Sequence, residues 1–345
     1  MADGTREQPI LWLGLAGFDA DQRSRLADIL QARDGHVRWQ FSAFGDADAW
    51  IIHGAKVQVV PGATINIHPA IPTQRITRLS LLDVAKPLAM ARPLPLSVGV
   101  SLSFDLDDRA STIAAIVVLE QQLRPLRARL ALARDIIRRG AKLRHGIYHV
   151  SRDGRLLAAM NFRKGVAGLS PDLQPHELAG AAWDRLPVTS DTMPPMFEVV
   201  PVNQLSWTYV LHTDVGLLPP SYMHRLIYYR GAPRVPANWL TDTQLALLHM
   251  LATRAATFEA LAERTGVADE QLEKDLTCLY FASAITSTPS KAAHPASVPR
   301  EEHGPSVTPL ADLVPAPGET TGRMHTVPLY TDSFRASQAP DSGQA

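Results

Sequence analysis

Ile10–Ala16 (ILWLGLA) is a continuous apolar run, the pattern of a strand buried on both faces. Asp19 follows as an N-cap, and Leu26, Ile29 and Leu30 form the inner stripe of a helix from about Ala20 to Arg33. Val37–Phe44 alternates as a strand does, and Trp50–His53, Val57–Val60, Thr64–His68 and Leu88–Ala91 add further β-prone pieces. From Ser111 to Arg139 the spacing is helical, with Arg124-Pro125 placed to kink the helix or divide it in two. Ile147–Val150 and Arg155–Asn161 then flank Ser-Arg-Asp-Gly, a hairpin turn. Residues 171–200 alternate a short helix with proline-rich loop, and Leu205–Leu211 is apolar without a period, leaving helix and strand both open. Three more apolar stripes follow: Leu245, Leu248 and Leu251; Phe258, Leu261 and Ala262; and Leu272, Leu276 and Leu279, with Gly266 at a turn. From Thr286 the pattern stops. Nine prolines fall in the last 60 residues among small polar groups, too little apolar surface to offset ordering entropy, so residues 288–345 are expected to be disordered, with Met324–Phe334 as the one apolar island.

A length of 345 residues and 46% hydrophobic content support two to three domains with real cores. Net charge is zero, which excludes a globally basic coat for nucleic acid, but the distribution is uneven. Residues 124–164 hold ten Arg and two Lys against Asp135 and Asp153, a local +10, whereas residues 241–290 hold seven acids and three bases, a local −4. The lone cysteine, Cys278, lies in an apolar run and reads as a buried thiol. No apolar run approaches a membrane span and no signal pattern opens the chain, so a cytoplasmic location is expected.

The helix, short helix, Gly turn and longer helix of residues 238–287 resemble a winged-helix domain, a family whose members mostly bind DNA. The last helix, however, carries Asp269, Glu270, Glu273 and Asp275 against a single Lys274, a face that phosphate repels. The resemblance therefore implies a protein-binding variant, with Asp269, Glu270 and Glu273 as its contact residues. Residues 1–100 resemble, in element order, a response-regulator receiver with few helices. The position of the phosphoacceptor aspartate is filled by His53, Asp19 and Asp21 come later than that family's acidic pair, and Lys86 precedes its strand where the family's lysine ends one. The resemblance thus implies a pseudo-receiver without Mg²⁺-assisted phosphorylation. Arg134-x-x-x-Arg138 followed by Ser151-x-x-Gly154 resembles the PilZ cyclic-di-GMP signature, with His149 replacing its Asp/Asn.

Arg134, Arg138, Arg139, Lys142 and Arg144 gather near the C-terminal end of a helix, where the macrodipole favours cations and an anionic partner finds a site. No P-loop occurs, Gly14 to Gly17 lack the dinucleotide spacing, and His145 and His149 are about 13 Å apart if on a strand, too far for one metal ion. Neither catalytic residues nor a cofactor can be nominated. The fold class expected is α/β plus α+β: a receiver-like α/β domain (1–100), a long basic helix with a central α+β domain (101–237), a winged-helix-like domain (238–287) and a disordered tail (288–345). The function expected is a non-catalytic regulator docking protein partners or a second copy of itself. The alternative is a transcriptional regulator or cyclic-dinucleotide-responsive protein that uses residues 124–144.

Overall fold

Apolar run Ile10–Ala16 becomes strand β1, buried on both faces as its continuous hydrophobicity requires. Helix α1 (Ala20–Gln31) follows, closed by a capping box in which Asp19 and Gln22 satisfy each other's backbone N–H. After β2 (Arg38–Ser42) and β3 (Ala49–His53) comes an antiparallel meander of β4 (Val57–Val60), β5 (Thr64–Ile67) and β6 (Thr77–Ser80). Strands β7 (Leu88–Ala91) and β8 (Ser103–Phe104) then complete a five-stranded parallel sheet in the order β2-β1-β3-β7-β8. Counting those five alone, the order is 2-1-3-4-5, that of flavodoxin-like doubly wound sheets. The meander occupies the crossover from β3 to β7. Its Ile65 and Ile67 pack with Ala16, Ile52 and Met90 and cover a sheet face that a crossover helix would otherwise cover. This computed structural model describes residues 8–33, 37–70, 75–82, 84–95, 101–143, 146–187 and 193–293. Arg144, His145 and the tail with Met324–Phe334 lie outside them.

Helices α2 (Arg109–Gln122) and α3 (Arg124–Arg139) divide at Leu123, with Pro125 in the first turn of α3, where its missing N–H costs nothing. A second sheet is antiparallel: β9 (Ile147–Arg152), β10 (Arg155–Asn161), β11 (Val166–Leu169), β12 (Ala182–Leu186) and β13 (Glu198–Pro201), in the order β12-β9-β10-β11-β13. The β9–β10 turn places Asp153 (φ 51) and Gly154 (φ 76) in the left-handed region, as a two-residue hairpin needs. One apolar cluster runs from Leu13 and Ile51 through Ile116, Leu119, Leu132 and Ile136 to Val150 and Met160. Both sheets thus share a core across α2 and α3.

Leu205–Leu211, open between helix and strand in the sequence, belongs to helix α4 (Val202–Leu211). A short α5 (Ser221–His224) and β14 (Tyr228–Tyr229) lead to α6 (Asp242–Thr253), α7 (Phe258–Thr265), α8 (Asp269–Phe281) and β15 (Ile285–Thr286). Gly266 ends α7 in the left-handed conformation. The inner stripe of α6 is Leu247, Leu248 and Leu251; Leu245, expected inside, is 48% exposed. The small sheet pairs β15 with β14, which precedes α6, and Ile227 bridges Ala256 between α6 and α7.

Candidate functional site

Among the residues singled out by charge, the structure separates two groups. On α8, Leu272, Leu276 and Leu279 face α6 and α7, while Cys278 and Ala282 pack against Trp207 and Val210 of α4. Asn203 Nδ2 donates to the Phe281 carbonyl and, at 3.1 Å, to Ser283 Oγ, tying the two helices further. The side of α8 away from its own three-helix core is therefore already covered within the chain. Asp275, grouped by the sequence with the acidic face, is instead buried, accepting from Gln244 Nε2 at 2.8 Å and Gln271 Nε2 at 3.1 Å. Burial pushes its carboxyl above the usual range, against the two amides that favour the charge. Burial, with the Asp275 charge, pushes the Cys278 thiol up to about 12. The periodicity explains the misreading: Asp275 sits one residue before Leu276 and three after Leu272, on the inward side.

Asp269 and Glu270 are exposed in the first turn of α8. Their side chains stand where the helix has no side-chain N-cap, so the macrodipole gives them a structural reason to be acidic, about 0.3–1 kcal/mol each. Glu273, half-buried, lies against Gly216, where an added Cβ would come 2.6 Å from its carboxylate oxygen.

The basic residues lie at the far end of α3. Arg134 is mostly covered, its Nε 3.4 Å from Asp135; Arg138 and Arg139 are exposed; the Arg139 guanidinium stands 4.5 Å over the Trp183 ring. Lys142 is exposed in the 3-10 turn after α3, and its carbonyl accepts from Tyr148 Oη at 3.1 Å. Arg134, Arg138 and Arg139 line one cleft with the loop Leu178–Ala181, so the structure brings these three together. Arg144, outside the described residues, is not placed. An adjoining cavity shares Arg134 and adds Arg127, a residue that the sequence reading did not single out.

The receiver-like positions are held by other contacts. His53 ends β3, with Phe18 edge-on at 5.3 Å. Gln22 donates its amide to His53 Nε2 at 3.1 Å, and since Gln22 Oε1 accepts from Asp19 N, the amide orientation is fixed. The ring proton then sits on Nδ1, which is buried without a partner. Burial, then the Lys56 ammonium, hold the His53 pKa below its ordinary value against the Asp19 charge. Asp19 is committed to capping α1. Lys86 precedes β7 and donates to the Gly45 carbonyl at 2.8 Å, near Trp50 and not near His53, because β3 and β7 run parallel with Trp50 opposite Leu88. Incubation with beryllofluoride and Mg²⁺ is accordingly expected to leave the spectra of the chain unchanged and to add no mass to any aspartate; an aspartyl adduct in this segment would contradict it.

One buried constellation has no sequence signal at all. His212, just past α4, places Nε2 at 3.1 Å from both carboxylate oxygens of Asp48, while its Nδ1 is 2.6 Å from the Thr208 carbonyl. Asp48 also accepts from the Trp12 backbone N–H at 2.8 Å. The partners are 164 residues apart.

No described helix is long and apolar enough to cross a membrane, and among the described residues no group of three or more His, Cys, Asp or Glu could hold a metal ion. No protein-family model matches the sequence, and comparison with curated proteins finds no significant match.

Proposed function

We propose that this chain is a non-catalytic, cytoplasmic regulatory protein that acts by docking protein partners, with a pseudo-receiver, a central α+β region and a winged-helix-like module. The observation that carries this reading is the covering of α8. A DNA-reading helix needs a free face and donors for base edges. Here Trp207 and Val210 cover one side of α8, and the exposed start offers Asp269 and Glu270. Those carboxylates and the cleft of Arg134, Arg138 and Arg139 are complementary docking surfaces of opposite sign. The alternative, nucleic-acid binding through residues 124–144, is weakened because α3 buries Ala128, Leu130, Leu132, Ala133 and Ile136, and Arg124, Arg127 and Arg129 of its first half already donate to the Pro171 carbonyl, the Glu120 carbonyl and Glu198.

Anisotropy titrations of the full chain with a labelled duplex, at 0.05 and 0.2 M salt, test the reading. The expected result is no binding tighter than the nonspecific range of about 10⁻⁴–10⁻⁶ M. Binding to a defined sequence with an affinity that falls steeply with salt would overturn it. Protein capture supplies the positive arm: Arg138→Glu with Arg139→Glu should abolish a partner that Arg138→Gln with Arg139→Gln only weakens, with folding intact because exposed changes cost under about 0.5 kcal/mol.

A further inference from the structure

The cavity beside the basic cleft has the chemistry of a small-molecule site. Helix α3 sets Arg127, Leu130, Ala131 and Arg134 on one stripe, with Arg127 and Arg134 two turns apart, about 10 Å along the axis. The floor is therefore apolar between two cations. Pro9, Gln174, Pro175, His176, Ala179 and Tyr209 contribute the rest of the lining. The cavity is open on one side and about 350 Å³ in volume, within the range of small-ligand pockets.

Of the two arginines, Arg127 has no described carboxylate bonded to it. The only side-chain hydrogen bond that Arg127 makes among the described residues runs from Nη1 to the Glu120 carbonyl, at 3.2 Å. The Glu120 carboxylate is taken by Arg33, at 2.9 and 3.3 Å, and by Trp39 Nε1, at 2.9 Å. No described carboxylate lies within 4 Å of the Arg127 guanidinium, which is half-buried. Arg134 has its neighbour Asp135 against Nε alone. A partly desolvated guanidinium without a counter-ion is costly, and a ligand carboxylate meets it with two parallel hydrogen bonds. An inorganic ion would satisfy the charge and leave the apolar lining of Pro9, Pro175 and Ala179 wet.

We propose that this cavity binds a small organic acid, a carboxylate on an apolar body, held by Arg127 and Arg134 against the half-exposed Pro9, Pro175 and Ala179. The site does not depend on the docking function proposed above. It does touch the same helix: Tyr209 lines the cavity from α4, and Trp207 and Val210 of α4 hold α8. A ligand bound there braces the helix on which α8 rests.

Calorimetry on the full chain at constant ionic strength tests the site with four probes: octanoate, benzoate, octanol and inorganic phosphate. At least one carboxylate is expected to bind saturably with Kd below about 1 mM, and octanol and phosphate at least tenfold more weakly. Arg127→Gln and Arg134→Gln should each weaken the carboxylate about tenfold or more, while Arg124→Gln, whose guanidinium reaches the Pro171 carbonyl outside the cavity, leaves it unchanged. Should Arg127→Gln fail to fold, Arg134→Gln decides. Absence of saturable carboxylate binding, equal binding in both glutamine variants, or phosphate binding as tightly as the carboxylates would each overturn the proposal.

Discussion

Trp207→Ala is expected to destabilise the protein by about 3–5 kcal/mol, the cost of emptying a large aromatic site in a packed core. Trp207 is 1% exposed and packs with Val210, Cys278 and Ala282, so it is the wedge between α4 and α8. Its Nε1 is buried without a hydrogen-bond partner, so truncation removes volume and no bond. Trp207→Phe therefore loses far less: it keeps most of the ring and removes an unpaired N–H that costs about 1–3 kcal/mol where it stands. Urea denaturation of the two variants measures the difference, and limited proteolysis locates it, since the alanine variant should expose the loop 213–217 to cleavage. A loss below about 1 kcal/mol for Trp207→Ala would mean that α4 does not hold α8, and the argument from a covered α8 would fall with it.

Where a segment faces one environment, its pattern can be read. Ile10–Ala16 announces a doubly buried strand, Arg124-Pro125 marks the break between α2 and α3, and Asp153-Gly154 marks a hairpin. Helix α4 could not be read because it has no polar stripe: Leu205 and Tyr209 join the core shared by both sheets, and Trp207 and Val210 meet α8. A helix buried on two sides is apolar nearly all round, and its period disappears. The β4–β6 meander was visible as β-prone pieces, but nothing in TINI or TRLS says that it replaces a crossover helix. Charge was the least reliable guide. Asp275 counts as negative in any tally yet lies in the core beneath two glutamines, and Arg127, one arginine among ten in its region, is distinguished only by Glu120 being taken by Arg33 and Trp39. Both facts depend on partners distant in sequence.

Asp48 and His212 join segments 164 residues apart, and disrupting their contact should have the second large effect. The chain uses the pair to fasten the end of α4 to β1. Ile10 N donates to the His212 carbonyl at 2.8 Å, Trp12 Nε1 donates to the Leu211 carbonyl at 3.0 Å, and Asp48 N donates to the Trp12 carbonyl at 2.8 Å. The side chains complete the clasp, with Asp48 accepting from both Trp12 N and the His212 ring. In Asp48→Ala the Trp12 N–H and His212 Nε2 both lose their partner, and at about 1–3 kcal/mol for each stranded group the expected loss is roughly 3 kcal/mol or more. His212→Ala strands less, because Asp48 keeps the Trp12 N–H, and should lose about 2 kcal/mol. Once Asp48 is gone, removing the ring also removes an unpaired ring nitrogen. The double variant is therefore expected to be less damaged than the sum of the singles, by about 1 kcal/mol or more. Denaturant melts of the four proteins give that coupling directly. Strict additivity would show that the two side chains act independently and that the backbone bonds alone hold α4 against the parallel sheet.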